Sequence, residues 1–125
     1  MKIVVIVVRV LMGLLFLFAS LAYFLHLIPK PDLTGLVKQF NEAIEATGYF
    51  IPTLKFFELV CAVSLLTNRF VPLFLVVLFP ITLNILLFHT FVDQTGLAVG
   101  VFVFASNLFL AYHYRKHYES VLVMK

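Results

Sequence analysis

Four long apolar runs, each followed by a short polar interval, set the rhythm of this chain. The first, Ile3 to Ile28, covers about 26 residues, or roughly 39 Å as a helix, which is enough to cross a hydrocarbon layer. Pro29-Lys30-Pro31 ends it, because proline lacks an amide and restricts the residue before it. Over about 32–47 the pattern changes. Leu33, Leu36, Val37, Phe40 and Ile44 recur at helical spacing, while Lys38, Gln39, Glu42 and Glu45 take the other faces. This predicts a short amphipathic helix, capped by Asp32 or Thr34 and stopped at Thr47-Gly48, too polar to span and suited to a membrane surface. Further spans are predicted over about 49–67, 70–92 and 97–112, with turns at Asn68-Arg69 and Asp93-Gln94-Thr95-Gly96. Pro52 falls in a first turn, where its missing amide matters least. Pro80 lies inside the third span, where it predicts a kink and leaves the Val76 carbonyl without its amide. The fold class is all-α: a four-helix transmembrane bundle with one amphipathic surface helix between spans 1 and 2, a single domain over residues 1–125.

Polar residues inside the spans mark the faces that turn inward. Lys55 and Glu58 stand three apart in the second span, so they share a helix face and can pair. A charge near the bilayer centre costs at least about 2.5–3.5 kcal/mol, which argues against a lipid-facing pair. At about 100° per residue, Arg9, Gly13, Phe16, Ser20, Tyr23 and Leu27 form one stripe of the first span. Cys61, Ala62 and Leu65 continue the Glu58 face, and Gly96, Gly100, Val103, Asn107, Ala111 and Tyr114 align in the fourth span. Each stripe mixes small residues with a polar one, the composition of packed membrane-helix contacts. Counted by depth, Glu58, Asn84 and Asn107 lie roughly 12–20 Å from either surface. The expected candidate site is a buried cluster of Arg9, Glu58, Asn84 and Asn107, opening outward past Lys55 and His89. In it Arg9 holds Glu58 ionised; equally, burial keeps Glu58 protonated unless Arg9 or Lys55 holds the charge. The alternative is that these groups only set helix register.

Composition agrees about the solvent. The chain has 125 residues, 63% hydrophobic and 12% charged, with 15 phenylalanines. Ordinary soluble chains run at about 45–50% apolar and about 25% charged, so this one is expected to face lipid. Its net charge of +3 falls at span ends, as a topology signal and not as a nucleic-acid surface. Lys2, Arg69, Arg115, Lys116 and Lys125 share the side of both termini. Lys30 and Lys38 on the other side are diluted by Asp32, Glu42, Glu45 and Asp93. Cationic loops stay inside, which places both termini in the cytoplasm. The start resembles a signal peptide with Ser20-Leu21-Ala22 as cleavage pattern, but Arg9 interrupts the apolar core and the run continues, so an uncleaved span is expected.

Little else carries chemistry. His26 and His89 fall near one membrane face and His113 and His117 near the other, without metal-ligand spacing, so no metal is expected. Cys61 alone allows no internal disulfide and reads as a packing residue. Gly96 and Gly100 make a small-xxx-small pair, a contact within the chain or between two copies.

The chain resembles the DoxX family of small four-helix bacterial membrane proteins over essentially its whole length. The resemblance rests on Arg9-Val-Leu-Met-Gly13-Leu-Leu-Phe, Pro52-Thr-Leu-Lys55-Phe-Phe-Glu58 and Asn68-Arg69-Phe-Val-Pro72-Leu. Pro80-Ile-Thr-Leu-Asn84, Phe88-His89-Thr-Phe-Val-Asp93 and Ala111-Tyr-His-Tyr-Arg115 add to it. Cys61-Ala62 stands where the family usually has glycine. The resemblance implies a multi-pass protein of the bacterial inner membrane, in a family named for partnership with oxidoreductases and for quinone-linked sulfur metabolism. More distantly, the layout is similar to four-helix membrane proteins that hold sterol-like ligands. The leading expectation is an accessory, non-enzymatic bundle that binds a quinone or lipid-like amphiphile. The alternatives are an anchor for an oxidoreductase partner, docking through the surface helix, and a proton-coupled transporter using Glu58. A homodimer is a further partner, and no catalytic residue is expected.

Overall fold

The structure, a computed structural model, describes residues 2–27 and 34–121. Five α-helices follow in order: α1 (Lys2–Phe24), α2 (Gly35–Ala46), α3 (Phe50–Thr67), α4 (Val71–Phe91) and α5 (Leu97–His113). All but α2 are long and apolar enough to cross a membrane, with α5 extended by the 3-10 turn Gln94–Gly96. The protein is an all-α, multi-pass membrane bundle. The expected amphipathic start at 32, with Pro29-Lys30-Pro31, Asp32 and Leu33, lies outside the described residues, as does Lys125.

Local chemistry sets the helix ends. α1 stops four residues short of the expected Ile28. His26 takes a left-handed conformation (φ 54°), its amide donates to the Tyr23 carbonyl, and the Leu27 amide donates to Ala22. That pair of bonds is a Schellman closure, with histidine where glycine is usual. At the end of α2, Gly48 (φ 76°) makes the turn, and Thr47 links the helices: its hydroxyl donates to Ile44 and accepts from the Phe50 amide. Thr34 occupies the cap position of α2 in extended conformation, without a side-chain cap bond. Between α3 and α4, Asn68 and Phe70 are both left-handed, and the Ser64 hydroxyl donates to the Arg69 carbonyl.

Asp93 caps the turn between α4 and α5 by accepting from the Thr95 hydroxyl and amide. These bonds, the hydroxyl first, hold its carboxyl below its ordinary value. A depressed pKa means that the cap is intact above the unfolded value, about 3.9, and is lost as pH falls through the folded one. The Thr95 amide resonance should titrate with a midpoint below 3.9; a midpoint at or above it would show that the cap does not form.

The spans form a ring in which α1 packs chiefly on α3, α4 on α5, and each pair meets the other. Glycines mark the close crossings. A Cβ on Gly13 would lie 2.9 Å from Leu66 Cγ and 3.2 Å from Leu65 Cβ. One on Gly100 would lie 3.2 Å from the Leu86 Cα. Gly96 and Gly100 therefore serve packing within the chain: both face α4. Met12, Phe16, Leu65, Leu75, Leu78 and Leu110 fill the centre almost without exposure. Phenylalanine and aliphatic side chains such as Phe18, Leu73 and Val101 cover the outside, as lipid requires. Phe40 of α2 stacks on Phe88 (centroids 4.9 Å apart), so α2 leans on the far end of α4 while Leu36 stays exposed.

Candidate functional site

α3 turns Glu58, Cys61, Ala62, Ser64 and Leu65 inward. Glu58 is only 4% exposed, and its Oε2 lies 3.2 Å from Lys55 Nζ, one helical turn toward the α2 end. The spacing read from the sequence thus produces the pair. The Lys55 side chain keeps 23% of its surface and stands between Glu58 and the exterior. The Lys55 ammonium is the partner of Oε2 in this pair, and no second donor reaches that oxygen among the described residues.

Asn107 is the second inward polar group, 1% exposed. Its Nδ2 donates to the Leu75 carbonyl at 3.2 Å, and its Oδ1 has no partner among the described residues. Helix register places Glu58 and Asn107 at one depth. Cys61 Sγ faces the Phe74 carbonyl (3.8 Å), so in the antiparallel α3–α4 pair Glu58 falls level with Val77, two residues from Leu75. Ser20 joins this layer. Gly13 lies opposite Leu65 and Leu66, and seven residues along each helix bring Ser20 level with Glu58. The Ser20 hydroxyl is occupied by the Phe16 carbonyl at 2.8 Å.

Three expected members belong elsewhere. Arg9 does not pair with Glu58: its Nη1 donates to the Leu65 carbonyl, tying α1 to α3. The register explains why, since Arg9 sits four residues from Gly13 in the opposite direction, roughly 16 Å from the Glu58 level. Asn84 is exposed. The buried face of α4 runs through Val71, Leu75, Leu78 and Thr82, and two residues past Thr82 means about 200° of rotation. Thr82, fully buried and donating to the Phe79 carbonyl, takes the inward place that depth alone assigned to Asn84. His89 belongs to the α4–α5 turn, with Nδ1 3.0 Å from the Asp93 carbonyl and its ring in the space that Gly96 leaves. Twelve residues of α4 separate it from Val77, roughly 18 Å.

Compared with known protein families, characterised proteins and solved structures, the chain matches none. Its own geometry carries the functional reading. A hollow of about 410 Å³ opens on the flank of α3 and α4, lined by Leu59, Val60, Val63, Thr67, Phe70 and Phe74 among others. It lies toward the end that holds Arg69 and excludes Lys55, Glu58 and Asn107. Among the described residues no group of three or more His, Cys, Asp or Glu is placed to hold a metal. The arrangement at Glu58 suits recognition of a donor-bearing group: a desolvated carboxyl oxygen served only by Lys55, and a desolvated amide oxygen of Asn107 with no donor among the described residues.

Proposed function

We propose that this chain is an accessory, DoxX-like bundle of the bacterial inner membrane that binds the head of a hydroxyl-bearing amphiphile at Glu58 and Asn107. A quinol is the leading class. One observation carries the reading: Asn107 Oδ1 is buried without a donor at the depth of Glu58, whose Oε2 has only the Lys55 ammonium beside it. Leaving the Asn107 oxygen unpaired costs about 1–3 kcal/mol, so a ligand hydroxyl that donates to it gains what the free protein lacks, and Glu58 accepts from the ligand as Lys55 moves aside. A quinone offers only carbonyl acceptors there and is the poorer match. The ligand enters from the α2 side by displacing the Lys55 side chain. The tightly packed Met12, Leu65, Leu75 and Leu110 below favour a site with one opening over a transport path.

The charge pattern supports cytoplasmic termini: Lys2, Arg69, Arg115 and Lys116 lie at one end, Glu42, Glu45 and Asp93 at the other. An oxidoreductase partner that supplies or consumes the quinol docks, in this reading, on Leu36 and Phe40 of α2, both exposed.

Titration of a short-chain hydroquinone into the protein in nanodiscs tests the reading. Saturable binding is expected, weakened about ten-fold by Asn107→Leu and more by Glu58→Gln, with the matching quinone bound less tightly. Equal affinity of both variants and the wild type would overturn it.

A further inference from the structure

The lipid-facing side of α4 carries a feature that the inward site leaves unexplained. Leu73, Val76, Pro80, Asn84, Leu87 and Phe91 are all exposed and follow one another at spacings of three and four, forming a continuous stripe. Asn84 lies seven residues from the nearer helix end, roughly 10 Å inside the span. Its amide has no hydrogen-bond partner among the described residues. Hydrocarbon supplies none either, and an unpaired amide there costs several kcal/mol. Pro80, on the same stripe, has no amide to give the Val76 carbonyl.

We infer that this stripe is a dimer interface, covered by α4 of a second copy inserted in the same direction, with Asn84 meeting Asn84. The side chain itself selects the occupant. An amide has one donor group and one acceptor, so two copies related by a two-fold axis along the membrane normal satisfy each other reciprocally. Only a same-direction pair places both at one depth, because Asn84 is thirteen residues from one end of α4 and seven from the other. The neighbouring apolar positions pack around it, with the asparagine setting register as a lone polar residue does in a coiled-coil seam. The small-residue pair Gly96 and Gly100 is not available for this role, since it is spent on α4 within the chain.

Dimerisation measured by subunit photobleaching over a range of protein-to-lipid ratios tests the interface. Asn84→Leu, an exposed change that leaves the core untouched, should weaken association about ten-fold, and Asn84→Gln should retain most of it. In a Cys61→Ala background, Leu87→Cys should cross-link between copies under oxidation while Val101→Cys, on the outer side of α5, should not. Glu58→Gln should leave association unchanged, which separates this interface from the quinol site. A wild type that stays monomeric at every ratio, an unaffected Asn84→Leu, or equal cross-linking at both cysteines would overturn the proposal.

Discussion

Glu58→Ala is expected to lower the stability of the bundle by about 3 kcal/mol, read from the midpoint of unfolding in mixed micelles. The loss is not the worth of the ion pair. It reflects Lys55, which is left three-quarters buried without a counter-charge once the carboxylate 3.2 Å away is gone. The figure stands at the low end of the range for breaking a buried pair because Lys55 still reaches the exterior with part of its surface. The companion double variant, Lys55→Leu with Glu58→Leu, should recover to within about 1 kcal/mol of the wild type, since apolar replacements of similar volume remove both desolvation costs together. A neutral Glu58→Ala would mean that the pair faces outward, where lipid headgroups or water already serve the lysine. A double variant as unstable as the single one would mean that the pair is itself an organising contact.

Gly100→Leu should be comparably damaging, about 3 kcal/mol by the same unfolding measurement, with Gly100→Ala well below it. The obstacle at Gly100 is the Leu86 Cα, which cannot rotate out of the way, so α4 and α5 must part. At Gly13 the Leu66 side chain can rotate, but Leu65 Cβ at 3.2 Å is as fixed as the Leu86 Cα, so Gly13→Ala should cost about as much as Gly100→Ala. Both alanine variants should therefore fall well below Gly100→Leu. A harmless Gly100→Leu would show that the α4–α5 spacing is not set by Gly100. Because Gly100 faces inward, the variant should lose stability without first losing the dimer.

What could be read from residues alone followed from periodicity. Apolar length gave the spans to within a few residues, and the three-residue spacing of Lys55 and Glu58 gave their pairing. The stripes through Gly13, Phe16 and Ser20, and through Gly100, Val103 and Asn107, are the buried faces. What failed depended on relations between helices, which no single helix contains. Arg9 and Glu58 both point inward, but only the offset between α1 and α3 decides that they are too far apart. Asn84 was assigned by depth, and depth does not include the angle around α4; following the stripe Val71, Leu75, Leu78, Thr82 gives the angle directly. α1 ends early because His26 accepts a left-handed conformation, uncommon outside glycine, and no pattern of polarity announces it.

The claim on which the rest depends is that Glu58 looks into the protein and not into lipid. It is tested most directly by ¹³C relaxation of the Glu58 carboxyl in hydrated bilayers under oxygen, which concentrates in the hydrocarbon. The resonance is assigned by its loss in Glu58→Gln. The predicted result is a relaxation rate that oxygen barely changes, against a strong enhancement for the ring carbons of its exposed neighbour Phe57. Enhancement at Glu58 equal to that at Phe57 would contradict the account.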